Sequence, residues 1–212
     1  MATLNVRGLA SEDVEPDYGV IHCSAVGRAD SAAAALERAN ALADTMRAAA
    51  SRLPGVRSMR LSRASVHETF EWDESTHAQR STGWQAVIGG STEAEAASVA
   101  DVAGELVAAG AEMSHVSWCI NDDNAAYRRV RAAAVADARR AADDFAEALG
   151  GTVGDLISLA DPGLLGGGSP MPTARGEMVL AMASGPSAKS AVSVDTELII
   201  VTVVVEASYA LA

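Results

Sequence analysis

Aromatic side chains are scarce in this 212-residue chain: three Trp, three Tyr and two Phe. Apolar residues still make up 49% of it, so a core must be built mainly from Ala, Val and Leu. Such small side chains let helices approach sheets closely, and thin, tightly packed layers are expected rather than bulky pockets. Cysteine is nearly missing too. Cys23 and Cys119 are too few for a disulfide framework, and reduced thiols are expected. Lysine occurs once against fifteen arginines, and the 28 acidic residues outnumber the 16 basic ones for a net charge of −12. That balance argues against attraction to nucleic acid or to an anionic membrane surface. No apolar run approaches the roughly 18 residues of a membrane-spanning helix. The longest, Leu198–Val205, is interrupted by Thr202. Met1–Leu9 shows no basic stretch followed by an apolar one, so a cytoplasmic location is expected, or a periplasmic one if a leader has been removed.

What is present organises into alternating patterns. Leu36, Ala39, Ala43, Met46, Ala50 and Leu53 recur at spacings of three and four, which predicts one helix face. Asp30 or Ser31 would cap that helix and Pro54-Gly55 would end it. Thr92-Glu93-Ala94-Glu95 reads as a capping box opening a second helix, with Val99, Val102, Leu106 and Ala109 inward and Gly110 closing it. A third helix follows Asn121-Asp122-Asp123, with Tyr127, Val130, Ala134, Ala138, Ala141 and Phe145 inward and Gly150-Gly151 as its stop. Arg139–Asp143 and Arg140–Asp144 are i,i+4 pairs on its solvated side.

Strands are expected at Leu4–Val6, Tyr18–Val26, Met113–Ile120 and Thr152–Leu159. A hairpin spans Val56 to Gly90 around the polar tip Asp73–His77. The β-branched stretch Glu197–Ala207 reads as a central strand covered on both faces. The element order implies an α+β fold, with mixed or antiparallel sheets packed against three long Ala-rich helices. The length allows a single domain over residues 1–212, or two intimately packed subdomains of about 1–121 and 122–212.

Several landmarks lie in a fixed order: Leu4-x-Val6-x-Gly8, Pro16-Asp17, Gly83-Trp84 and Ala109-Gly110-Ala111. Leu149-Gly150 and Val201-x-Val203-x-Val205 with Tyr209 and Leu211 complete the set. Together they resemble the SIMPL-domain family, the YggE-like and outer-membrane-antigen-like proteins, over essentially the whole chain. The resemblance implies an α+β protomer that builds homo-oligomeric, ring-like assemblies. It supplies no catalytic residues and no cofactor. It links bacterial members to stress tolerance and an animal member to a kinase of inflammatory signalling.

The chemistry-bearing residues are few. His67, Glu71 and His77, with Glu68, Asp73 and Glu74, crowd the hairpin and are the metal-ligand candidates by residue type. They lack an H-x-H or H-x-x-x-H spacing, and a charged hairpin tip is ordinarily a solvated one. His115, Ser117 and Cys119 alternate on one strand face. Residues four apart on a strand are about 13 Å apart, too far for proton transfer. Cys119 would therefore need a base from elsewhere, such as His22. A Cys23–Cys119 redox pair is a further possibility that spacing alone does not decide. Gly166–Gly168 lacks the Lys-Ser/Thr of a phosphate loop. Arg128, Arg129, Arg131, Arg139 and Arg140 cluster on the third helix, without the interleaved aromatics of a nucleic-acid surface. The segment Asp161–Ala188 reads as one long irregular loop, whose Met171, Met178 and Met182 are candidates for contact with a partner.

The expectation drawn from these residues is a non-enzymatic, self-assembling scaffold or stress-associated protein. It would act through itself or an unidentified protein partner. The alternative is a small-molecule or metal binder using the 67–77 hairpin or the 161–188 loop. A Cys/His-based activity is the remaining enzymatic reading.

Overall fold

The computed structural model describes residues 2–74, 77–164 and 195–212. In chain order the elements are β1 (Thr3–Val14), β2 (Tyr18–Ala29), α1 (Ala32–Ala50), β3 (Val56–Asp73), β4 (Ala78–Glu95), α2 (Val99–Ala108), β5 (Glu112–Cys119), α3 (Ala125–Ala148), β6 (Val153–Ala160) and β7 (Ile199–Leu211). One sheet has the order β1-β7-β6 and the other β3-β4-β2-β5. The chain divides into two compact units, one holding β1, α3, β6 and β7 and the other β2 to β5 with α1 and α2.

In the first unit β1 alternates, turning Val6, Gly8 and Val14 inward and Arg7, Leu9 and Asp13 outward. It pairs with β7 along its whole length, from Thr3↔Ala210 to Val14↔Ile199. Across the inner face lies α3, capped by Asn124, whose side chain accepts from the Ala126 N–H at 2.9 Å. Its buried stripe is Ala126, Tyr127, Val130, Ala134, Ala138, Ala142 and Ala146. A Cβ on Gly8 would meet the Ala134 carbonyl oxygen at 2.0 Å, so helix and strand backbones nearly touch. Near the helix end the buried stripe departs from the predicted face: it runs on at spacings of four through Ala142 and Ala146, while Ala141 is only partly buried and Phe145 is exposed.

In the second unit α1 and α2 cover one face of the four-stranded sheet. Ser31 is the cap, its Oγ accepting from the Ala34 N–H at 3.3 Å. Ile21, Met46, Val99, Val102 and Leu106 are fully buried between the layers, each contributing about 1.5–3 kcal/mol. The same glycine device recurs: a Cβ on Gly27 would lie 2.2 Å from the Ala35 carbonyl oxygen of α1. Gly110, at φ +95, ends α2, and the Ala111 N–H then donates back to the Leu106 carbonyl at 2.9 Å.

The expected arrangement of mixed or antiparallel sheets under three long helices is corrected by this geometry. About half of the described residues are strand and 31% helix, and both sheets are antiparallel throughout. Helix α2 has only 10 residues. Thr92–Glu95, read as its capping box, is the end of β4 instead, held by pairs that run to Tyr18↔Glu95 on β2. A short 3₁₀ turn at Ala96–Ser98 intervenes, and no side chain caps α2. Burial decided the competition: Thr92 and Ala94 are inaccessible on the inner face, a period-2 pattern that local capping cannot outweigh. β7 is indeed central, although Ile200 on its outer side is exposed.

Candidate functional site

Two places in the second unit concentrate the side chains with chemical or adhesive character. The first is the far end of the β3–β4 hairpin. Each strand has 18 residues, but β2 accompanies β4 only from Trp84 to Glu95. Beyond Trp84 the hairpin continues as a two-stranded arm. At its root Gly83 (φ +121) and an extra residue, Thr82, shift the register between Thr69 and Phe70. The Thr82 hydroxyl donates to Thr69 Oγ1 at 2.9 Å, and Thr69 donates to the Gly83 carbonyl at 3.1 Å. Past this bulge Phe70 and Trp72 stand on the same side of β3, 53% and 62% exposed.

The hairpin metal candidates are spread along this arm rather than gathered. His67 lies opposite Gln85 and Glu71 opposite Arg80. They are separated by about 13 Å of strand, and His77 sits in the tip with φ 51. Among the described residues no group of three His, Cys, Asp or Glu side chains converges to hold a metal ion.

The second place is the face of the sheet opposite α1 and α2. Register puts Tyr18 against Cys119, Val20 against Ser117 and His22 against His115, so His115, Ser117 and Cys119 do share a face. His22, however, is opposite His115, four residues from the position that faces Cys119. The neighbour of Cys119 is the Tyr18 hydroxyl. Burial holds the Cys119 thiol above its ordinary pKa, with the Tyr18 hydrogen bond working against this and Glu93 adding to it. A thiol so held is weakly nucleophilic. Cys23 is buried on the helix-covered face, and both cysteines are free; they point to opposite sides of one sheet and do not form the redox pair considered from spacing. Burial likewise raises Cys23, partly offset by Thr92. The Thr92 hydroxyl, though the Cys23 thiol leans on it, makes no hydrogen bond of ordinary geometry.

At one end of this face the Arg57 guanidinium lies 4.5 Å from the Tyr18 ring centroid. It also grips both oxygens of Glu95 at 2.8 and 3.0 Å. That ion pair holds Glu95 below its ordinary pKa. The His22–His115 pair, which spacing alone did not reveal, is stacked with centroids 4.2 Å apart and planes 15° from parallel.

In the first unit most arginines of α3 are engaged close to home. Arg129 forks onto Glu12 of β1. Arg139 lies over the Tyr209 ring and pairs with Asp143 at 3.3 Å. Arg140 pairs with Asp137 at 2.8 Å rather than with Asp144. A shallow, open depression lies at the end of α3, lined by Arg139, Asp143, Glu147 and Thr152. Met171, Met178 and Met182, with most of the 161–188 loop, lie outside the described residues. Among the described residues no helix is long and apolar enough to cross a membrane.

Two antiparallel sheets, each backed by an alanine-faced helix seated on a strand glycine, define an α+β protein. The SIMPL family, described as a protein of unknown function (DUF541), matches residues 4–209. The chain belongs to that family. No curated protein matches it.

Proposed function

We propose that this SIMPL-family chain is a non-enzymatic, self-assembling protein, a scaffold or stress-associated factor whose copies meet through the β3–β4 arm. The observation that carries the reading is the exposure of Phe70 and Trp72 on a two-stranded ribbon that no third strand accompanies. With only eight aromatics in the chain, placing two side by side in solvent has a standing cost. Each would regain about 1.5–3 kcal/mol on burial against a neighbour. A two-stranded ribbon also leaves unpaired backbone groups along both edges, which a second copy can satisfy.

The test is the mass in solution of the full chain, by light scattering on a sizing column, beside Phe70→Ser/Trp72→Ser. A discrete oligomer that the double variant dissociates, with unchanged circular dichroism, is the expected result. A strict monomer at high concentration, or an oligomer indifferent to both substitutions, would overturn it. A second reading, a metal binder, is favoured by the stacked histidines of β2 and β5 rather than by the hairpin.

A further inference from the structure

Strands β2 and β5 pair residue for residue from Tyr18↔Cys119 to His22↔His115, and there the register slips. Ser114 is the extra residue, so Ser114 and His115 together oppose His22. The Ser114 hydroxyl donates to the His22 carbonyl at 3.1 Å and fixes the bulge. Bulges re-aim side chains and recur beside functional sites. Here the result is two imidazoles stacked at 4.2 Å on the side of the sheet opposite α1 and α2. His115 is exposed and His22 half-buried, so both rings are reachable from solvent.

The charged groups around the pair are few. In register with His22 stand Ser91 on β4 and then Arg60 on β3. One step away are Glu93 on β4 and Arg63 on β3. Glu112 on β5 is held by Arg28 of β2 at 3.3 Å. Burial first, then His115, then Arg63, hold His22 below its ordinary pKa of 6.5. A neutral imidazole, with a free lone pair on one ring nitrogen, is the form that ligates a cation.

We propose that His22 and His115 form a two-imidazole site for a borderline divalent transition-metal cation, Cu²⁺, Ni²⁺ or Zn²⁺, with water completing the coordination. Imidazole is the nitrogen ligand these ions favour. Two rings anchored on directly paired strands, with centroids 4.2 Å apart, lie within reach of one ion once they turn out of the stack. The outer torsion of a histidine is soft and roughly two-fold, so the rings turn their nitrogens toward a shared ion without moving the strands. Two protein ligands and no carboxylate make a site of modest affinity, ordered Cu²⁺ above Ni²⁺ and Zn²⁺. The arginines at positions 60 and 63 weaken it further by repulsion.

The experiment is calorimetric titration of the full chain with NiCl₂ and with ZnCl₂ at a pH of about 7.5 and again at about 5.5. It is repeated on His22→Asn, His115→Asn and a control carrying His67→Asn and His77→Asn. The proposal expects one equivalent of metal at the higher pH. Either single substitution at the pair should weaken binding by roughly tenfold or more, and acidification should weaken it comparably, since protons compete for the same nitrogens. The control should bind like the parent. His115 is exposed, so its substitution leaves the fold intact, and circular dichroism verifies this. Binding indifferent to His115→Asn, binding abolished by the control, or no binding to the parent would each overturn the proposal.

Discussion

Gly8 of β1 and Ala134 of α3 meet backbone to backbone, with room for no atom at the glycine Cβ position: the nearest oxygen would be 2.0 Å away. Gly27 and Ala35 repeat the relationship in the other unit at 2.2 Å. Because the obstructing atoms are main chain, neither contact can relax by a rotamer change. Gly8→Ala and Gly27→Ala are each expected to lower unfolding stability by about 1–3 kcal/mol or more. Gly89→Ala, with nothing within 4 Å of the new methyl, should stay within about 0.5 kcal/mol. Urea denaturation followed by circular dichroism distinguishes the three.

Gly104 is the opposite case. It sits in the interior of α2, and an added Cβ meets nothing within 4 Å. Alanine there removes backbone freedom from the unfolded chain and adds helix propensity. Gly104→Ala should raise stability by about 0.5–1 kcal/mol, read as a higher denaturation midpoint at unchanged slope.

Thr92 points a hydroxyl into the core without a hydrogen bond of ordinary geometry. The desolvation cost of that oxygen is uncompensated apart from the weak approach of the Cys23 thiol. Replacement by Val keeps the branched shape and deletes the polar atom. Thr92→Val is therefore expected to gain about 1 kcal/mol. A loss of stability would show that the thiol contact matters more than the burial.

Asp137 accepts from the Leu9 N–H at 3.0 Å and from Arg140 at 2.8 Å. The backbone donor first and the guanidinium second hold its carboxyl below the ordinary 3.8. A depressed carboxylate contributes stability that is present above the ordinary value and lost as pH falls through the folded one. Asp137→Asn should thus cost stability near neutral pH and progressively less as the pH drops below about 4. Paired denaturation curves across that range measure it.

Much of this fold is written locally. Most of the inward face of α1, that of the first half of α3, Ser31 as a cap, the glycine stops of α2 and α3 and the hairpin could be read from spacing. Helix α1, however, ends at Ala50, before Leu53 and the expected Pro54-Gly55 stop. The other exceptions share a cause. Near the end of α3 the buried stripe runs through Ala142 and Ala146 rather than Ala141 and Phe145, because the face is set by packing on strands far away in sequence. Thr92–Glu95 carries a respectable capping box, yet pairing with β2 and a buried face claim it for β4. At the candidate site, alternation placed His115, Ser117 and Cys119 on one face. Their partners depended on the β2–β5 register, and that register turns on a single bulge at Ser114 with no signature in residue type. The exposure of Phe70 and Trp72 was equally hidden, since a strand's pattern does not tell whether its neighbour stops early.

The pairing of β1 with β7 has a consequence for how the chain comes off the ribosome. Val6 finds its cross-strand partner Ala207 only after some two hundred further residues have been made, whereas β2 to β5 lie within one uninterrupted stretch, Tyr18 to Cys119. Vectorial synthesis therefore delivers every strand of the four-stranded sheet while β1 still awaits its partner. The unit holding the first strand is the last to be completed.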